Sequence, residues 1–208
     1  MKPLCLVTSR ILGLTLLIGS PLLASSAPRQ AQGAPAASDS KANLADVTYD
    51  QVKPSDSFVA FDQGAFAIAH PENWKASGDG NSARIAPEAG ASQEVIAYGV
   101  AIAMVPTSGS LADSTETLIQ SLEKSNPGMR ALDSSRKIRV KELKGREAGL
   151  AGNSPVMKDG QPLPEHDWLV TLPRPDGTML YLVFIAPERD FGRLKATYQR
   201  MLESVQWK

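Results

Sequence analysis

The run Val95-Ile96-Ala97-Tyr98-Gly99-Val100-Ala101-Ile102-Ala103-Met104-Val105 decides how this chain folds. At the two-residue period of a strand, Ile96, Tyr98, Val100, Ile102 and Met104 share one face, and Val95, Ala97, Gly99, Ala101 and Ala103 share the other. Both faces are apolar, so the strand is expected at the centre of a sheet that is covered on both sides. One face is also small, which lets a helix approach closely.

Two amphipathic segments can supply the covers. Ser110 with Asp113 three residues on is a capping-box pattern, and Leu111, Thr115, Leu118, Ile119 and Leu122 follow on one helical face before Asn126-Pro127-Gly128. A second stripe, Phe191, Leu194, Tyr198, Met201, Leu202 and Val205, predicts a helix from about Asp190. Around them, strands are expected at 58–61, 66–69, 83–86, 138–143, 147–151, 168–172 and 179–185. Asp62-Gln63-Gly64 and Pro173-Arg174-Pro175-Asp176-Gly177 supply the hairpin turns. The fold class is α/β (α+β): a three-layer α/β/α sandwich around one mostly antiparallel sheet.

At the N-terminus, Lys2 and Arg10 precede the apolar run 11–18, Gly19-Ser20-Pro21 and the small residues Ala24, Ser25 and Ser26, the pattern of a Sec-type signal peptide over 1–26. The expected location is periplasmic or secreted. Residues 27–54 read as a disordered Ala/Ser/Pro-rich linker, with Leu44 the sole large apolar residue up to Ala45. The globular domain is placed at 55–208, with no second domain.

The 208 residues carry 22 basic and 22 acidic side chains, a balance that argues against nucleic-acid binding. Cys5 is the only cysteine and lies inside the leader, so the exported chain has no disulfide, thiol nucleophile or Cys-rich zinc site. The only histidines are His70 and His166. There is no GxxxxGK[ST], GxSxG or HExxH, and Gly78-Asp79-Gly80-Asn81-Ser82-Ala83 precedes a strand where a dinucleotide loop needs a helix. No catalytic residue, cofactor or metal is therefore expected, and the binding residues stay unknown.

Three features remain. Glu165-His166-Asp167-Trp168 bunches a histidine with two carboxylates, but on a strand only Glu165 and Asp167 share a side. A metal would need His70 or a distant carboxylate as well, and the plainer reading is a solvated strand entrance. His70, before Pro71, reads as a hydrogen-bonded turn histidine, and Trp74, Trp168 and Trp207 as core or rim residues. Arg136, Lys137, Arg139, Lys141, Lys144 and Arg146 form the densest basic stretch. This is either an edge strand guarded by its charges or a patch for an acidic partner or anionic lipid.

Phe66-Ala67-Ile68-Ala69-His70-Pro71-Glu72-Asn73-Trp74 resembles the "apolar strand, Pro, two residues, Trp" opening of PsbP-like domains. Residues 180–191, with an "AP..DF" turn at Ala186 to Phe191, and Met201-Leu202-Glu203-Ser204-Val205 are similar to their closing strand and last helix. Tyr98-Gly99-Val100 and Asp167-Trp168-Leu169-Val170 also match a PsbP-like module at the C-terminus of some exported bacterial zinc metallopeptidases. The peptidase part is missing here, so no activity carries over. The resemblance implies an α/β/α sandwich used for binding or assembly, and transfers no functional residue.

The expected function is an exported, non-enzymatic domain that engages a protein partner in the cell envelope. The alternative is a small-molecule or metal-binding domain, or weak hydrolase, centred on His166 with Glu165 and Asp167. A third reading, an accessory subunit of a separate peptidase, adds a change in that enzyme's activity.

Overall fold

The computed structural model describes residues 44–92 and 95–208. Leu44–Asp46 forms a 3-10 turn and Tyr49–Val52 a short helix, α1. Strands β1 (Phe58–Asp62), β2 (Phe66–Pro71), β3 (Trp74–Gly78), β4 (Ser82–Pro87) and β5 (Gly99–Pro106) lead to helix α2 (Leu111–Ser125). Strands β6 (Arg130–Ala131), β7 (Arg136–Val140), β8 (Leu143–Lys158), β9 (Gln161–Pro173) and β10 (Thr178–Pro187) lead to helix α3 (Glu188–Glu203), and β11 (Gln206–Trp207) closes the chain.

The main sheet is antiparallel and eight-stranded, in the order β3-β4-β5-β10-β9-β8-β6, with β7 also on β8. The strand that decides the reading is central: β5 lies between β4 and β10, with Val100 opposite Phe184 and Ile102 opposite Leu182. Its large face belongs to the core under α3, with Val100, Ile102, Phe184, Leu194, Tyr198 and Met201. Its small face, through Ala103, belongs to the core under α2, with Leu118, Ile119, Leu150, Leu169 and Val183. Burying each such aliphatic side chain is worth roughly 1.5–3 kcal/mol, so the two cores together hold helix, sheet and helix as three layers. α2 begins at the expected capping box, where Ser110 Oγ accepts from the Asp113 backbone N–H at 3.2 Å.

Three expectations need correction. First, the 58–69 hairpin does not extend the main sheet. It forms a separate three-stranded sheet with β11, in the order β1-β2-β11, beside α3. Phe66 and Ile68 are fully buried in the α3-side core, and alternation along a strand shows which residues go inward without showing which sheet they join.

Second, residues 44–52, expected as part of the linker, pack into the fold. Leu44, Val47 and Val52 are buried, and Trp74 Nε1 donates to the Val52 carbonyl at 3.2 Å. These apolar residues are spread thinly among polar ones, so composition reads the segment as linker. Residues 1–43, which hold the expected leader and the rest of the linker, lie outside the described residues.

Third, the strand expected over 138–143 is broken by a turn at Lys141-Glu142, where Lys141 has φ 52°. The turn contains no glycine, proline or asparagine, which leaves it without its usual mark in the sequence.

Candidate functional site

Alternation along β9 sends His166, Trp168 and Val170 toward α3, and Glu165, Asp167 and Leu169 toward the α2 side. On the α3 side His166 and Trp168 floor an open groove of about 780 Å³ between β7 and α3. The Trp168 ring stacks on Phe184 at 5.2 Å, and its Nε1 donates to Glu147 Oε2 at 2.8 Å. The other oxygen, Glu147 Oε1, accepts from Arg136 Nε at 2.8 Å. The indole is thereby fixed from below and from the side. His166 packs on Phe191 with ring centroids 4.2 Å apart, and burial holds its pKa below the ordinary value. Arg136, Arg139, Lys141 and Lys195 line the groove against Asp133 and Glu203, an amphipathic, moderately basic channel.

The opposite face of the same strand is sealed. Asp167 is 1% exposed, and neither carboxylate oxygen has a hydrogen-bond partner among the described residues. Burial pushes its pKa up. Glu165, two residues away on the same face, is pushed up by burial and then by the charge of Asp167. A carboxyl with no donor around it is far cheaper to bury protonated than ionised. The solvated strand entrance expected here is therefore wrong for Asp167: the β8 and β10 neighbours Leu150 and Ile185 flank it in a covered sheet.

His166 and Glu165 meet only at the rim of a smaller cavity, about 270 Å³, with Arg130, Asn153 and Glu188. Among the described residues, no three His, Cys, Asp or Glu side chains gather closely enough to hold a metal. His70 sits at the end of β2 in the other sheet. It is buried, its Nδ1 donates to the Pro71 carbonyl at 2.9 Å, and its ring is edge-on to Phe61. Asp79-Gly80-Asn81 is a plain turn into β4.

Sequence reasoning missed a second buried aspartate. Asp190 is 5% exposed, and its Oδ2 accepts from the Tyr98 hydroxyl at 2.8 Å and from Arg189 Nε at 3.2 Å. Its Oδ1 lies 3.6 Å from Arg193 Nη1, and the Arg193 guanidinium covers the Tyr49 ring at 3.3 Å. This hub ties α1, the entrance of β5 and the start of α3 together. Next to it Gly99 adopts φ 145°, where a Cβ would run into the Ile85 carbonyl oxygen. The available signal was the pairing of Tyr98-Gly99 with Asp190-Phe191, both parts of the family likeness.

The solution structure of cyanobacterial PsbP from Synechocystis matches this chain with a TM-score of 0.50 at 8% identity, over 73% of this chain and 92% of that one. The fold is PsbP-like. LpqN of Mycobacterium tuberculosis, involved in cell envelope biogenesis, aligns at a TM-score of 0.46 and 13% identity, over 72% of this chain and 90% of that one. No protein-family model matches the sequence, and no curated protein matches it. In this PsbP-like fold several residues that carried the sequence likeness are scaffold, since Trp74 is in the core and Tyr98 and Asp190 pin it, while Trp168 and Phe191 from the same motifs line the groove. The groove residues Arg136, Lys195 and Gln199 lie outside the matched motifs.

Proposed function

We propose that this chain is an exported, non-enzymatic binding module that engages a protein partner in the cell envelope through the groove between β7 and α3. The observation that carries the reading is the groove itself: an open channel with a fixed indole on its floor and basic side chains on both walls. Aromatic and arginine side chains set in partly desolvated surroundings supply most of the binding energy in protein interfaces. His70 is held by the Pro71 carbonyl, and His166 packs on Phe191 on the opposite face of β9 from Asp167, which suits binding better than acid–base turnover. Export would follow from the leader pattern at 1–26. Among the described residues no helix is long and apolar enough to cross a membrane.

The test is recovery of the tagged protein with its partner from envelope extracts. Lys195→Glu combined with Gln199→Trp blocks the groove, while Lys75→Glu changes the far edge of the sheet. The reading expects a partner at near-equal amount with wild type and the Lys75 variant, lost with the groove variant. Partner recovery indifferent to the groove, or turnover of an ester, peptide or glycan abolished by His166→Ala, would overturn it.

A further inference from the structure

The groove has one wall made of a free sheet edge. β7 pairs with β8 on one side, and among the described residues nothing pairs with its other side. The direction of its backbone groups follows from the register. Gly149 of β8 turns its carbonyl toward this edge and accepts from the Leu132 N–H at 2.9 Å, so the odd-numbered residues of β8 face β7. Their partners are Arg136, Ile138 and Val140, opposite Glu147, Gly145 and Leu143. The N–H and C=O groups of Lys137 and Arg139 therefore point away from the sheet, unpaired, as alternate residues of an antiparallel edge must.

The side chains along this edge divide by face. Arg136 and Ile138 look onto the groove, where Trp168 and the exposed Leu132 add apolar surface. By alternation Lys137 and Arg139, both exposed, leave β7 on the other face, Arg139 also bordering the groove, and Lys144 lies opposite Arg139. Basic residues on an edge repel another copy of the same strand, and the same charges favour a strand that carries carboxylates at facing positions. At the opposite edge of the sheet, β3 has a single basic residue, Lys75, and Glu88 neutralises it at 2.8 Å. Free backbone, a matching charge pattern and an adjoining apolar channel thus coincide at β7, and not at β3.

We infer that the partner contributes an extended segment that alternates acidic and apolar residues and adds as a strand to β7, its backbone pairing with Lys137 and Arg139, its carboxylates beside those two side chains and its apolar residues over Ile138 toward Trp168. This rests on the groove being the partner surface. Backbone pairing supplies affinity, and the alternate side chains supply selectivity, as in other strand-addition complexes.

The probe is a fluorescent peptide alternating Glu and Val, titrated into the purified protein and followed by anisotropy, with amide exchange of Lys137 and Arg139 read by NMR. The expected result is saturable binding, slowed exchange at those two amides, and no binding of the Lys/Val counterpart. Arg139→Gln removes a charge and weakens binding about threefold, the scale of one exposed charge contact. Arg139→Pro also removes the outward N–H, leaves the β8 ladder intact, and weakens binding at least tenfold. Thermal melts of both variants confirm folding, and if the proline variant fails to fold, the peptide methylated at alternate backbone nitrogens takes its place. Binding that survives methylation without amide protection would overturn strand addition while leaving the groove as a partner surface. Failure of the acidic peptide to bind, or binding of phosphatidylglycerol vesicles in its stead, would overturn the inference outright. Loss of partner recovery in the groove variant is measured separately, so a failure here is distinguishable from a failure of the binding-module reading.

Discussion

The two faces of the β8–β9 hairpin treat carboxylates in opposite ways. On the groove face Glu147 is shared between the Trp168 indole and the Arg136 guanidinium, and solvent reaches the arrangement. On the covered face Asp167 is sealed between Leu150 and Ile185 with no donor to either oxygen. The Asp190 hub is a third case, as deeply buried as a core residue yet satisfied by Tyr98, Arg189 and Arg193. What a carboxylate does for this fold is decided by its donors, more than by its depth.

The largest effect is expected where a buried carboxylate is paired. Asp190→Ala strands the buried Tyr98 hydroxyl and releases two arginines, and urea denaturation should show a loss of about 3 kcal/mol. A loss below about 1 kcal/mol would show that the hub only decorates the core. Next comes the unpaired case. Asp167 has a folded pKa above its unfolded one, so its favourable contribution is fully present below the ordinary carboxylate range, about 4, and is lost as pH rises through the raised value. Asp167→Val should therefore stabilise the protein at pH 8 by about 2 kcal/mol and flatten its stability between acid and alkaline pH. A destabilised variant with an unchanged pH profile would mean that Asp167 has a donor after all.

Smaller effects separate the groove face from the core. Glu147→Ala leaves the half-buried Trp168 Nε1 without its acceptor. A loss of about 1 kcal/mol and a shift of the Trp168 emission are expected in a fluorescence-detected melt. Arg136→Ala removes the exposed end of the same chain of contacts, and its cost should stay under about 0.5 kcal/mol. If Arg136 proved as costly as Asp190, the groove would be a structural seam and not an open surface.

Much of the fold was legible because periodicity reports burial. The two apolar faces of 95–105 placed β5 at the centre, and the stripes at 111–122 and 191–205 placed the covering helices. The small sheet stayed hidden because β11, Gln206–Trp207, is two residues long and its partner is remote in sequence. The N-terminal segment stayed hidden because Leu44, Val47 and Val52 are few and far apart. At the site, alternation correctly set His166 apart from Glu165 and Asp167, and the basic stretch was readable as an edge strand. Burial of Asp167 was not readable, since a charged residue beside a histidine and a glutamate looks solvated until the neighbouring strands are known. The Asp190 hub joins residues 92 positions apart, a separation no local pattern reports.

The most direct test of the account places a photo-crosslinking amino acid at Gln199, which is exposed and lines the groove, and at Gln120, which is exposed on α2 across the sheet, and irradiates intact cells. The account predicts one discrete crosslinked partner from position 199 and none from position 120. The same partner captured from both positions, or from position 120 alone, would contradict it.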